Sequence, residues 1–261
     1  QKQGQGMDLG LDGHRVIVTA GAAGIGLAIA KGFAAEGARV VVCDLDTAAL
    51  DTLPDGITGR VCDVSDRDGV AGFMDWALDQ LGGLDCLVNN AGVAGPTGAV
   101  QDIAPEDWDT CLSVCLTGQF NVTRLAVDAL KSSDNASIVN LSSLAGRVGF
   151  ALRTPYAAAK WGVIGFTKSL AQELGPSGVR VNAILPGLVA GDRQRRVLEA
   201  KAQAQGQSFT DVEARAFSFT SIKEYVTADQ IADQILLMAS HRGRTVSGQA
   251  ISVCGDTGML A

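Results

Sequence analysis

A chain of 261 residues, 47% hydrophobic and 19% charged, is long enough to bury one large core and fits one α/β domain better than two small ones. A formal net charge of −7 argues against a nucleic-acid surface, which needs clustered Lys and Arg rather than an acidic excess. With only two histidines, His14 and His241, a histidine triad or a multi-histidine metal site is nearly excluded, and no metal is expected.

No apolar run reaches the roughly 20 residues that span a bilayer, and no charged-then-apolar leader opens the sequence. Six cysteines (Cys43, Cys62, Cys86, Cys111, Cys115, Cys254) lie mostly inside apolar segments without a C-x-x-C pair, as buried thiols in a reducing compartment do. The expectation is a soluble cytoplasmic protein with no membrane partner. Gln1 to Gly6 reads as an expression remnant ahead of Met7, so the expected domain runs over 7–261.

Arg15 to Thr19 is a β-branched run ending in Ala20-Gly21-Ala22-Ala23-Gly24-Ile25-Gly26, and Leu27 to Glu36 then has helical periodicity. In such a strand–turn–helix, glycines let the backbone approach a pyrophosphate, and the helix N-terminus offers it free N–H groups and a positive dipole end. The bland alternative is a tight packing corner. A second apolar strand, Arg39 to Cys43, ends at Asp44, 18 residues beyond Gly26. A carboxylate there accepts hydrogen bonds from the adenosine ribose hydroxyls and repels a 2′-phosphate, which favours NAD over NADP.

Ile57 to Cys62 reads as a third strand ending at Asp63-Val64, where the carboxylate meets an adenine edge or, alternatively, Asp63 or Ser65 caps the next helix. That helix, Val70 to Leu81, closes at Gly82-Gly83. Leu84 to Asn89 is a fourth strand ending in Asn89-Asn90-Ala91-Gly92, whose amides suit buried backbone groups at a strand end. Pro105 starts one long helix to about Leu130. Strand five, Ser137 to Leu141, ends in Ser142-Ser143, and a long apolar helix opens at Tyr156-Ala157-Ala158-Ala159-Lys160. Residues four apart share a helix face, so the Lys160 ammonium favours the phenolate of Tyr156 and suits it to general acid/base work. Strand six, Val179 to Ile184, leads to Pro186-Gly187, then to a polar, charged segment from Gly191 to Thr220, a helix over Thr227 to Ser240, and strand seven, Ala250 to Val253. This alternation predicts an α/β fold: a Rossmann-type, doubly wound, seven-stranded parallel sheet with helices on both faces.

The turn T-A-G-A-A-G-I-G (Thr19 to Gly26), N-N-A-G (Asn89 to Gly92), Ser143 placed 13 residues before Tyr156, Y-A-A-A-K (Tyr156 to Lys160) and P-G-L-V (Pro186 to Val189) together resemble the short-chain dehydrogenase/reductase family, in order and spacing, over essentially the whole chain. The resemblance implies Tyr156 as acid/base on the substrate oxygen, Lys160 assisting its ionisation and holding the nicotinamide ribose, and Ser143 orienting the reacting oxygen. It further implies cofactor contacts at Gly21, Gly24, Ile25, Gly26, Asp44, Leu45, Asp63, Val64, Asn90, Ala91, Gly92, Tyr156, Lys160, Pro186, Gly187 and Val189, a substrate lid around 188–222, and a homotetramer or homodimer built on the two long helices. Two positions depart from the family pattern. Ala20 replaces the first glycine of the turn, which a methyl tolerates if φ stays negative. Cys115, seven residues after Trp108, stands where the family has an asparagine that helps hold a water linking the lysine to solvent.

Basic residues gather where the family builds its substrate pocket: Arg147, Arg153, Arg193, Arg195, Arg196, Lys201, Arg215 and Lys223. Either one or two of them, Arg153 and Arg196 foremost, clamp an anionic small molecule, or they form a solvated face paired with Glu199, Asp211 and Glu213. The lid's Gln- and Ala-rich composition suggests a helical flap that orders on binding. The expected activity is NAD-dependent interconversion of a secondary alcohol and a ketone on a small polar or anionic substrate such as a hydroxy acid, sugar, sugar acid or sulfonate. The alternatives are a 3-oxoacyl-type carbonyl reductase or a non-catalytic cofactor-binding scaffold.

Overall fold

Seven apolar runs assemble into one parallel sheet because their side chains alternate between two buried layers. The computed structural model describes residues 8–258, so the reading of residues 1–6 as an expression remnant lies outside the described residues. In chain order the first half comprises β1 (Arg15–Thr19), α1 (Gly24–Ala35), β2 (Arg39–Asp44), α2 (Thr47–Leu50), β3 (Ile57–Val61), α3 (Arg67–Leu81), β4 (Cys86–Asn89), α4 (Pro105–Leu112) and α5 (Gly118–Lys131). The second half comprises β5 (Ser137–Leu141), α6 (Thr154–Leu174), β6 (Arg180–Pro186), α7 (Asp192–Gln205), α8 (Phe209–Ser218), α9 (Ala228–Ala239) and β7 (Ala250–Val253).

The sheet order is β3-β2-β1-β4-β5-β6-β7, with every pairing parallel. Val16, Val18, Val40 and Val42 face one core with Ile29 and Phe33 of α1 and Ile231 and Ile235 of α9. Ile17, Val41, Leu87 and Ile138 face the other, with Phe73 of α3, Val122 of α5 and Leu170 of α6. Helix α1 carries Gly26 and Gly32, each costing about 1 kcal/mol of helix propensity. Full burial of Ile29 and Phe33, worth roughly 1.5–3 kcal/mol apiece, outweighs that cost, so packing on the sheet holds α1 rather than its own preference.

The strand order reverses between β1 and β4, and a ligand crevice opens beyond the carboxyl ends of strands at such a switch point. Three expectations need correction. The long helix from Pro105 is interrupted by a π-turn over Ser113–Thr117, with Cys115 inside it, before α5 resumes. Helix α3 is capped by Asp66, whose carboxylate accepts from the Asp68 amide at 3.1 Å, not by Asp63 or Ser65. The segment after β6 is already two helices, α7 and α8, held by a small core of Leu198, Ala202 and Val212. Its two ends are tied at the base by a parallel bridge between Val189 and Val226. Among the described residues no helix is long and apolar enough to cross a membrane.

Candidate active site

The end of β1 turns sharply into α1, and the N-terminus of α1 has no side-chain cap and no acidic residue in its first turn. Its free N–H groups therefore remain available to an anion. A Cβ at Gly26 would overlap the Ala20 carbonyl oxygen and stand 2.6 Å from Asn90 Nδ2, and one at Gly21 would stand 2.6 Å from the Val42 side chain. Ala20 itself has φ 49°, so the expectation of a negative φ is overturned. The cause is tertiary. Asn90 Nδ2 donates to the carbonyls of Thr19 and Ala20, both at 3.0 Å, and Thr19 Oγ1 accepts from the amides of Asn90 and Ala91. These bonds hold the turn in the left-handed region, at a cost of about 1–2 kcal/mol for a residue with a Cβ. The Asn90 side chain is thus spent on shaping the turn, while Asn89 is buried between Thr123 and Asn140.

At the end of β2, Asp44 accepts from the Ala22 amide on one oxygen and from the Leu45 and Asp46 amides on the other. A carboxylate has about four acceptor positions, so one remains free beside the glycine turn. Leu45 is exposed next to it. Asp63 accepts from the amide and hydroxyl of Ser65 through Oδ1, and Val64 is buried under Asn121, which donates to its carbonyl. Pro186 ends β6, and Gly187 packs its backbone against Cys254. Together Gly21, Gly24, Ile25, Gly26, Asp44, Asp63, Asn90 and Gly92 lie at or just beyond the carboxyl ends of β1 to β4, while Pro186, Gly187 and Val189 approach from β6. The donors and the acceptor set here fit a dinucleotide.

Helix α6 starts at Thr154, which puts Tyr156 in its first turn and Lys160 one turn later on the same face. Lys160 is buried at 3% exposure, its Nζ donating to the Leu141 carbonyl at 2.7 Å and lying 5.7 Å from the centre of the Tyr156 ring. Ser142 ties the end of β5 to α6 through the Lys160 carbonyl. Next to it, Ser143 Oγ accepts from the Ala145 amide, which fixes the hydroxyl and leaves its proton to donate. The Arg153 guanidinium, at 3% exposure, lies over the Tyr156 ring at 5.0 Å and donates to the Ala94 carbonyl.

Cys115 is fully buried behind this cluster. Its Sγ accepts from the Val93 amide and donates to the Val93 carbonyl, each at 3.4 Å, so the thiol holds the loop after β4 against the π-turn. Cys111, four residues earlier, lies in the same small buried cluster: beside it, and with the charge of Lys160 assisting against its burial, Cys115 is drawn below the ordinary thiol range, while Cys111 is pushed up. The pairing with Cys111 is a feature sequence reading missed, although the spacing of four was visible.

A cleft of 410 Å³ opens between the loop Gly92–Gly95 and helix α7, with Arg193 and Arg196 on its wall. Arg193 donates to the Gly92 carbonyl at 3.2 Å. The other basic residues disperse: Arg147 bonds Ser252 and the Ala250 carbonyl, Arg195 pairs with Glu199 on the surface, and Lys223 closes the end of α8 on the carbonyls of Phe217 and Ser218. Lys201, not singled out beforehand from the rest, lies 4.1 Å over the Phe150 ring.

The model of the short chain dehydrogenase family matches residues 14–202. The chain is 35% identical over 246 residues to D-beta-hydroxybutyrate dehydrogenase of Cupriavidus necator, covering 91% of this chain and 95% of that one. Among solved structures it matches an actinorhodin polyketide ketoreductase with NADPH at 33% identity and a TM-score of 0.89, over 95% and 98% of the two chains. It also matches an NAD+-bound xylitol dehydrogenase at 26% identity and a TM-score of 0.90, over 94% and 99%.

Proposed function

This chain belongs to the short-chain dehydrogenase/reductase family, NAD(P)-dependent oxidoreductases acting on carbonyl and alcohol groups, and within it we propose an enzyme that interconverts a secondary alcohol and its ketone with NAD, on a small polar or anionic substrate. The observation that supports this reading is that Lys160 and Tyr156 lie against Gly92 and Gly95 of the loop that walls the cleft, while Ser143 follows Ser142, which bonds the Lys160 carbonyl. Bound NAD supplies the hydride acceptor or donor. Tyr156 holds the proton that leaves or returns to the substrate oxygen, and the fixed ammonium of Lys160 offers a counter-charge when the phenol ionises. The Ser143 hydroxyl donates to the same oxygen and keeps it in register as charge develops. The lid at 188–222 brings α7 over the cleft and excludes water during the exchange.

Cofactor choice is read from Asp44, whose remaining acceptor position suits a ribose hydroxyl and repels a 2′-phosphate. Fluorescence titration is expected to give NADH at least ~10-fold tighter binding than NADPH, with Asp44→Ser narrowing the gap from both sides. Tighter binding of NADPH to the unaltered protein would instead favour a 3-oxoacyl-type carbonyl reductase, the second reading that similarity to the NADPH-bound ketoreductase supports. Cys115, the departure that would favour a scaffold, holds the loop after β4 through two hydrogen bonds of its thiol.

Exposed Trp108, Phe120 and Trp161 on α4, α5 and α6 support a homotetramer or homodimer formed through these helices. A monomer mass in light scattering at micromolar concentration would refute that assembly. All six cysteines are free and buried, which supports a reducing, cytoplasmic setting.

A further inference from the structure

Gln119 lies in the first turn of α5 at 2% exposure. Its Nε2 donates to the Leu141 carbonyl at 3.2 Å, and the same oxygen accepts from Lys160 Nζ at 2.7 Å. The other end of the amide, Oε1, is buried without a partner among the described residues. A leucine would fill this place without burying an orphan oxygen, and the ammonium already satisfies the Leu141 carbonyl. Neither packing nor a missing hydrogen bond therefore accounts for a glutamine here. The backbone fixes its aim. The π-turn over Ser113–Thr117 offsets α5 from α4, and Gly118 brings the start of α5 so close to Val64 that a Cβ would stand 2.6 Å from the Val64 side chain. Thr123, one turn on along the same face, accepts from Asn89 Nδ2; Asn89 also donates to Asn140, and Asn140 to Thr167 of α6. These bonds tie α5, β4, β5 and α6 into one polar column, with Gln119 at the end next to Lys160.

We propose that Gln119 is a positioning residue for Lys160: it takes one lone pair of the Leu141 carbonyl, confines the ammonium to the other, and so keeps that charge where it serves Tyr156. The proposal rests on the reading of Tyr156 as the acid/base. A carbonyl oxygen has two lone pairs, and with one occupied by a packed neutral donor the flexible lysine has a single approach. Nζ then lies under the loop after β4, 3.5 Å from where a Cβ at Gly92 would stand and 5.7 Å from the centre of the Tyr156 ring. It makes this one hydrogen bond among the described residues, so its other N–H donors stay available to the cofactor and the phenol oxygen. An uncharged partner is what this arrangement needs, because a carboxylate at 119 would draw the ammonium to itself and oppose a phenolate. The charged and titratable groups that face the pair from other elements are Arg153 over the ring, Cys111 of α4, Cys115 of the π-turn, and Arg193 of α7, which bonds the Gly92 carbonyl.

The test is a spectrophotometric titration of phenolate absorbance in the full chain, which needs no substrate. The sequence holds two tyrosines. Burial and the hydrogen bond to Glu213 push Tyr225 up to about 12, and Tyr156→Phe identifies the step that belongs to Tyr156. Gln119→Met, which keeps the volume and removes the donor, should move the Tyr156 step upward by about half a unit to one unit, equivalent to roughly 3- to 10-fold in ionisation. Gln119→Glu should move it in the same direction by about one unit or more. Thr167→Val, at the far end of the polar column, is the structural control: its Tm should fall while the Tyr156 step stays in place. An unmoved step in a folded Gln119→Met protein overturns the proposal, as does an equal shift in Thr167→Val. If Gln119→Met does not fold, an unmoved step in Gln119→Glu overturns it as well. Parental turnover of alcohols by Tyr156→Phe would remove the acid/base reading and leave the titration result standing, whereas an unmoved step together with an inactive Tyr156→Phe would do the reverse.

Discussion

Replacing Tyr156 by phenylalanine is expected to lower kcat by roughly 10²- to 10⁴-fold, the usual contribution of a positioned general acid/base, while leaving folding and NADH binding within about twofold of the parent. The separation follows from where the ring and the oxygen sit. The ring packs against Cys111, Cys115 and Ala159 and lies under Arg153, and a phenylalanine ring keeps all of that. The phenol oxygen is the part the fold does not need, because no hydrogen bond within the protein uses it among the described residues. Initial rates and thermal melts of the two proteins decide the matter. A variant that keeps a tenth or more of the parent rate would move the proton transfer to another group. A variant that loses NADH binding along with activity would make the phenol a binding group instead.

The elements that sequence reading placed well are those whose burial is uniform. β1, β2 and β5 are buried on both faces, which only a sheet covered on both sides explains, and the long apolar helix read from Tyr156 runs over Thr154–Leu174. What escaped was decided by contacts distant in sequence. The π-turn at Ser113–Thr117 leaves the apolar pattern almost intact, so Pro105 to Leu130 reads as one helix. The sign of φ at Ala20 is set by the amide of Asn90, 70 residues away, and nothing in the local turn reveals it. Helix α8 did leave a trace, since Ser208 accepts from the Asp211 amide as a cap and that spacing was on view, but the polar composition around it outweighed the signal. The basic cluster illustrates the limit most directly: sequence could count eight cations near the pocket, and only the fold sends Arg147 to β7, Lys223 to the end of α8 and Arg153 to the Tyr156 ring.

Gly26→Ala is expected to be the most damaging substitution outside the reacting groups, because its methyl has nowhere to go. It would overlap the Ala20 carbonyl and press on Asn90 Nδ2 at 2.6 Å, and these two are themselves joined by a 3.0 Å hydrogen bond. Relief requires that bond to break and the turn to lift off the end of β1, with Ala20 already held at positive φ and lacking room to relax. Overpacking of this kind against backbone costs about 3 kcal/mol or more, a fall of roughly 6–12 °C in Tm for a domain of this size, and displacement of the turn removes the free N–H groups of α1 from the position an anion would occupy. Ala20→Gly separates the steric term from the conformational one. It relieves about 1–2 kcal/mol of left-handed strain against about 0.5–1 kcal/mol of added chain entropy in the unfolded state, so its Tm should match or slightly exceed the parent with NADH affinity unchanged. Differential scanning calorimetry and NADH titration of both variants read the two effects apart. A Gly26→Ala protein that melts with the parent and binds NADH as well would mean that Ala20 moves aside freely, and the turn could then no longer be regarded as a fixed cradle.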